Sequence, residues 1–256
     1  RLKYNFDIYI KDLKTNKNIL VKKNDEPYTI QGETWSSDER FITFLKFYGN
    51  INLDILLYDT KTKSLINVTE HDINENVFNG GSTFDKNNKG FYYVSDEGRE
   101  FKGLKYYDIK KKKSEWIIKG KWDIHDYEFS HDFKYLLYTL NENGSNVPRM
   151  KDLKTGKVKK LKLPKANYLS IKFTHDDKKL VYLCDSPQNP GDIFVYDLKT
   201  QKEKQITNSL VGGVSKKGLT KPTDIFYNSF DGLKIHGLLY IPKGLKKDGK
   251  NAAIVW

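Results

Sequence analysis

Side chains able to do chemistry are thinly spread along this 256-residue chain. The five histidines are His71, His125, His131, His175 and His236, and no two stand at the i, i+4 spacing of a helical zinc site or beside a cysteine. His131 and His175 occupy the same place in two successive hairpin turns, which makes turn chemistry their expected role. The loop Asp85-Lys-Asn-Asn-Lys-Gly90 has a lysine at its fifth position and no closing glutamate, so it reads as a hairpin turn and not a calcium loop. Asn67-Val-Thr69 and Asn143-Gly-Ser145 match the glycosylation acceptor pattern, which matters only in a eukaryotic secretory setting. Cys184 is the sole cysteine, which excludes an internal disulfide and favours a reducing compartment. Within Leu-Val-Tyr-Leu-Cys-Asp-Ser it is expected as a buried strand residue, not a reactive thiol. The charged cluster to single out is Asp96-Glu-Gly-Arg-Glu-Phe101, at the end of a strand-like run.

What positions these residues is a repeat. Strand-like runs end five times in an aspartate followed by a short Lys-rich turn, at Asp12, Asp59, Asp108, Asp152 and Asp197. Successive markers are 47, 49, 44 and 45 residues apart. A period of this size built from β-type units marks a propeller, in which one repeat is one blade. Before four of these markers stands a second hairpin signal: an aromatic, a polar turn centred on aspartate, then a short apolar strand, as in Glu128-Phe-Ser-His-Asp-Phe-Lys-Tyr-Leu-Leu-Tyr138. Two hairpins make a four-stranded blade. The expected blades are about 1–24 (an outer half only), 28–71, 78–120, 124–164 and 168–209, giving an all-β propeller over 1–209. Four and a half blades are expected to belong to a larger ring; a small ring closed by the half-blade is the alternative. Trp35, Trp116 and Trp122 are expected to pack between blades.

The net charge of +12 does not point to nucleic acid. Of 45 basic residues only Arg1, Arg40, Arg99 and Arg149 are arginine, whereas groove readers lean on arginine in clustered stripes. The lysines gather in turns, most densely at Lys110–Lys113, as solvated loops do. Hydrophobic content is 38% with 14% aromatic residues, enough for a substantial core, and no apolar run is long enough to span a membrane. The chain opens on Arg-Leu-Lys-Tyr-Asn-Phe inside a repeat, so the native start is expected to lie elsewhere, and whether a signal peptide precedes Arg1 stays open. The expected location is cytoplasmic.

The repeat breaks at a Gly-rich hinge, 210–222. Two alternating strands follow, Asp224-Ile-Phe-Tyr-Asn-Ser-Phe230 and Lys234-Ile-His-Gly-Leu-Leu-Tyr-Ile-Pro242, joined by an Asp231-Gly232 turn. The final run, Ala252-Ala-Ile-Val-Trp256, is continuously apolar and expected as a buried central strand. This tail resembles the opening of the α/β-hydrolase domain in the prolyl-oligopeptidase family of serine peptidases, in its acylaminoacyl-peptidase and dipeptidyl-aminopeptidase-like branch. The resemblance continues upstream through Ser95-Asp-Glu-Gly-Arg-Glu-Phe-Lys-Gly-Leu104, Trp122-Asp-Ile124, Tyr138-Thr-Leu-Asn-Glu-Asn-Gly144, Gly191-Asp-Ile-Phe-Val-Tyr-Asp-Leu198 and Ile206-Thr-Asn-Ser-Leu-Val-Gly-Gly213. It thus covers nearly the whole chain, and the Ser229-Phe-Asp-Gly232 hairpin after the last blade is its most specific part.

The resemblance implies an N-terminal propeller preceding a hydrolase domain, whose first strands would be 223–256. It implies a serine peptidase acting on short peptides, with no cofactor and no metal. Its partners would be short peptides and its own downstream hydrolase domain, with no nucleic acid and no membrane; the oligomeric state is left open. Charged propeller residues that hold a substrate terminus are a feature of such relatives, which makes Arg99 and Glu100 the substrate-binding candidates. The family's G-x-S-x-G elbow and H-G-G segment do not occur here; Gly213-Val-Ser-Lys-Lys-Gly218 has the wrong spacing. No catalytic residue is therefore expected in this chain, and it is expected to be inactive alone. The competing class is a non-catalytic, protein-binding propeller scaffold.

Overall fold

The aspartate turns form alike at all five markers. The carboxylate of Asp12, Asp59, Asp108, Asp152 or Asp197 accepts the backbone N–H three residues on, at 2.7–3.2 Å. The residue four on is left-handed each time: Asn16 (φ 56°), Lys63 (62°), Lys112 (52°), Gly156 (71°) and Gln201 (57°). That amide donation is the leading reason the Asp12, Asp108, Asp152 and Asp197 carboxyls titrate below the usual carboxylate range. At Asp59, burial pushes upward, and the Arg40 guanidinium at 2.9 Å together with the Lys61 and Thr62 amides outweighs it. A left-handed L-residue costs about 1–2 kcal/mol, and glycine avoids most of that. Lys63→Gly is therefore expected to raise stability by roughly 0.5–1 kcal/mol, read as the shift of a urea unfolding midpoint. An unchanged or lower midpoint would contradict the turn assignment.

In the computed structural model, residues 6–164, 166–246 and 248–255 are described. The chain divides into two units, 1–124 and 125–256. In the first unit, β1 (Ile8–Lys11) and β2 (Asn18–Lys22) form a two-stranded sheet. A four-stranded sheet follows, of β3 (Thr29–Trp35), β4 (Phe41–Phe47), β5 (Leu53–Asp59) and β6 (Ser64–Asn67). A second contains β7 (Asn79–Phe84), β8 (Gly90–Ser95), β9 (Gly103–Asp108) and β10 (Lys113–Ile118). Every pairing is antiparallel and joins chain neighbours. All seven residues of β5 are buried, because layers cover both faces. Ile55 and Leu57 pack with Phe84, Phe91 and Tyr93, whereas Leu56 and Tyr58 pack with Ile8, Ile30 and Phe44.

The second unit repeats the plan. Its four-stranded sheets are β11 (Ile124–Phe129, beginning at the boundary), β12 (Tyr135–Glu142), β13 (Ser145–Asp152) and β14 (Val158–Lys160), then β15 (Asn167–Phe173), β16 (Lys179–Ser186), β17 (Asn189–Asp197) and β18 (Glu203–Gln205). Leu137, Tyr168, Phe173, Leu180, Tyr182 and Cys184 share their core. Asn143 (φ 50°) and Gly144 (φ 70°) make the tight turn between β12 and β13. Cys184 is buried in β16 as expected, and burial pushes its thiol up to about 11, which keeps it protonated at neutral pH.

After the last blade comes a single 3₁₀ turn, Lys216–Gly218, then the hairpin β19 (Thr223–Asn228) and β20 (Lys234–Leu239). Gly232 (φ 83°) sits in its turn and donates its N–H to the Ser229 carbonyl. The expected buried strand at the end of the chain does not form over 252–255, where Ile254 and Val255 are fully exposed; Trp256 lies outside the described residues. A central strand is buried only when strands flank it, and the described residues supply none there. Among the described residues no helix is long and apolar enough to cross a membrane.

Candidate functional site

In each four-stranded meander, the first and third turns lie at one end. The second loop lies at the other, where the fourth strand also runs out. The Lys-rich aspartate turns are third turns. The segment 96–102, the second loop of the sheet β7–β10, is therefore at the exit end. The second unit shows the same relation: from the β16–β17 loop, Gln188 Nε2 donates to the Leu219 carbonyl beyond the last blade (3.1 Å).

Loop 96–102 is held on two sides. Asp96 Oδ1 accepts the Phe78 N–H (2.7 Å), and Asp123 Oδ1 accepts the Lys102 N–H (2.7 Å). Arg99 donates from Nη2 to the Gly120 carbonyl (2.6 Å), and its guanidinium lies 5.0 Å from the centre of the Trp116 ring. Its Nη1 is buried without an acceptor among the described residues. Glu100 is exposed and has no hydrogen bond or ion pair among the described residues. The loop thus brings together one anchored cation and one uncommitted carboxylate. Trp116 lies beneath Arg99 and Lys105 of its own sheet, Trp122 meets Phe101, and Trp35 is half exposed.

A second set of groups was not read from the sequence. Asp54, at the start of β5, is fully buried and gathers donors from the end of its blade. Tyr48 Oη (2.9 Å) and Asn67 Nδ2 (2.7 Å) donate to Oδ2, while Thr69 Oγ1 (3.0 Å) and His71 Nδ1 (2.8 Å) meet Oδ1. Asp192 in β17 is its twin: Gln205 Nε2 meets Oδ2 (2.9 Å), and Thr207 Oγ1 (2.9 Å), Ser209 N–H (2.7 Å) and Ser209 Oγ (2.9 Å) meet Oδ1. The partners fall 13, 15 and 17 residues after the aspartate in both blades (67, 69, 71 after 54; 205, 207, 209 after 192). Burial pushes the Asp192 carboxyl up, but the Ser209 and Thr207 donors prevail and hold it below the ordinary range. The signal was present: each stands five residues before a marker aspartate, in Leu-Asp-Ile-Leu-Leu-Tyr-Asp59 and Gly-Asp-Ile-Phe-Val-Tyr-Asp197.

The same position in β9 is Gly103, five before Asp108. A Cβ there would lie 2.5 Å from the Ile118 carbonyl oxygen, 2.6 Å from Arg99 Nη1 and 2.8 Å from the Trp116 ring. Arg99 thus fills the space that the buried aspartate holds elsewhere. It reaches Gly120, 17 residues after Gly103, and covers Trp116, 13 after it. In this sheet a cation above a ring fastens the blade end, and Glu100 is carried beside it on the same loop. Among the described residues no group of three or more His, Cys, Asp or Glu is placed to hold a metal ion.

No family model matches the chain. A prolyl endopeptidase from Elizabethkingia meningoseptica is 24% identical over 243 residues, covering 93% of this chain and 33% of that protein. A solved prolyl endopeptidase superposes with a TM-score of 0.73 at 17% identity, over 90% of this chain and 34% of its own. A solved puromycin hydrolase gives 0.71 at 10% identity, over 89% and 36%. The structural likeness shows the fold, an all-β propeller portion built of four-stranded blades. The chain spans about a third of the length of the curated relative it matches.

Proposed function

We propose that this chain, similar to the propeller portion of prolyl-oligopeptidase-family peptidases, is the substrate-gating part of a serine peptidase that hydrolyses short peptides. The observation that carries this reading is the match to a prolyl endopeptidase through 93% of the chain. The hairpin β19–β20 supports it, since a two-stranded ribbon with apolar residues on both faces has to be covered by further layers. Ile225, Tyr227 and Leu239 lie on one face, Phe226 and Leu238 on the other, all at least a third exposed. A downstream hydrolase domain supplies those layers. It would also carry the serine, histidine and aspartate that make and break the acyl-enzyme, chemistry that needs no metal. The propeller limits entry to thin peptides.

At its exit end the Arg99–Glu100 loop faces the hydrolase. Glu100 is free to pair with a peptide's terminal ammonium, while Arg99, whose Nη1 is buried, keeps the loop in shape. The chain alone is expected to show no turnover of chromogenic dipeptide and acyl-amino-acid substrates. A longer form carrying the downstream segment is expected to show activity that a serine-directed phosphonate abolishes. Turnover by this chain alone, or none from the longer form, overturns the reading and favours a binding scaffold. In the longer form, Glu100→Ala should raise KM for peptides with a free amino terminus and leave N-acylated ones unchanged. An equal effect on both would remove Glu100 from substrate recognition.

A further inference from the structure

We propose that His71 and Asp54 jointly hold one proton more than a neutral imidazole and a carboxylate would carry, so that the exit end of the blade β3–β6 is a proton-dependent latch. Its partners fix the proton count. Asn52 Nδ2 donates to the Ile73 carbonyl at 2.8 Å, an oxygen that can only accept, so the amide orientation is set. Asn52 Oδ1 therefore faces His71 Nε2, at 2.7 Å, and that nitrogen must donate. On the other side His71 Nδ1 lies 2.8 Å from Asp54 Oδ1 and 3.2 Å from the Thr69 carbonyl, again oxygens. Both ring nitrogens thus face acceptors. Either the ring is an imidazolium, or Asp54 carries the proton and gives it to Nδ1; the pair's proton count is the same.

The site is closed to water's help, with the His71 side chain 8% exposed and that of Asp54 fully buried. Tyr48 Oη donates to Asp54, and burial together with that carboxylate pushes its hydroxyl far above the usual tyrosine range, so it stays a donor. Its ring meets the His71 ring edge-on at 5.9 Å. Beyond it, the Lys46 ammonium over the Tyr48 ring is paired with Glu26, which also takes Lys22. Glu70 and Asp72 flank His71 and are exposed. None of these groups supplies His71 with a donor, and none replaces the proton.

Losing the proton sets lone pair against lone pair, at Asn52 or at Asp54. The stabilisation is therefore present while the proton is held, at lower pH, and is lost as pH rises past its release. Loop 48–52 and the connection 68–77 are then freed together, at the end of the blade where the chain crosses to β7. The twin at Asp192 has Ser209 where Asp54 has His71, so it has no such dependence and serves as an internal control.

Nitrogen-resolved NMR of the histidine rings in the unaltered chain tests the proposal, alongside amide exchange across pH. Protection factors correct for base-catalysed exchange. The reporters are the Ile55 N–H, bonded to Thr69 Oγ1, and the Ile193 N–H, bonded to Thr207 Oγ1. At neutral pH both His71 nitrogens should carry or share a proton. Above the release point the protection of Ile55 should fall by about tenfold per pH unit, the slope for one linked proton, with Ile193 flat. His71→Ser should give Ile55 the flat profile of Ile193. A His71 ring with one bare nitrogen at neutral pH, or equal pH responses at Ile55 and Ile193, overturns the proposal. Should His71→Ser not fold, the measurement on the unaltered chain still decides.

Discussion

Asp54→Ala is expected to destabilise the first unit by about 3–5 kcal/mol, the range for removing one partner of a buried charged cluster. The substitution leaves the Tyr48 hydroxyl, the Asn67 amide, the Thr69 hydroxyl and the His71 ring all facing an apolar methyl at a fully buried position. Asp54→Asn keeps one acceptor oxygen and should lose roughly half as much. Asp25→Ala is the surface comparison, since the Asp25 side chain is 76% exposed and its pair with Lys23 belongs to the class worth about 0–1 kcal/mol. Guanidinium unfolding followed by tryptophan fluorescence separates the three. If Asp54→Ala unfolds no earlier than Asp25→Ala, the buried carboxylate is not what fastens this blade.

Gly103→Ala should be nearly as damaging, at about 3 kcal/mol, the upper part of the range for overpacking a tight site. The new methyl would meet a backbone oxygen at 2.5 Å as well as Arg99 and Trp116. Side chains can swing away, but the Ile118 carbonyl is held within the sheet. Removing Arg99 in the same chain is therefore expected to relieve only part of the loss. Gly49→Ala, whose nearest neighbour would be Asn52 Cβ at an ordinary 3.9 Å, should be close to neutral. Equal unfolding midpoints for Gly103→Ala and Gly49→Ala would mean that the β9 position is roomier than the geometry states.

The two aspartate classes differ in how far they could be read from residues alone. Asp12, Asp59, Asp108, Asp152 and Asp197 bond to amides two or three residues away, and nearly every residue type carries that amide, so the turn shows itself in local sequence. Asp54 and Asp192 bond to side chains 13–17 residues away, and the partners change type between blades: Asn or Gln, then Thr, then His or Ser. Only a contact across the sheet reveals that these are one device. Arg99 was harder still. Its charge and its place at a strand end suggested a ligand, and nothing in the sequence showed that Gly103 leaves a hole for it. The end of the chain failed for another reason. An apolar run states that a segment has to be covered, but burial comes from neighbours, and Ile254 and Val255 have none among the described residues.

Because each sheet is a simple meander, no strand has to wait for a distant stretch of the chain before it can pair. The loops to be closed within a blade are short, so the entropy opposing each step is small and local. Such a molecule can be laid down in instalments as it leaves the ribosome, one blade settling while the next is still being translated.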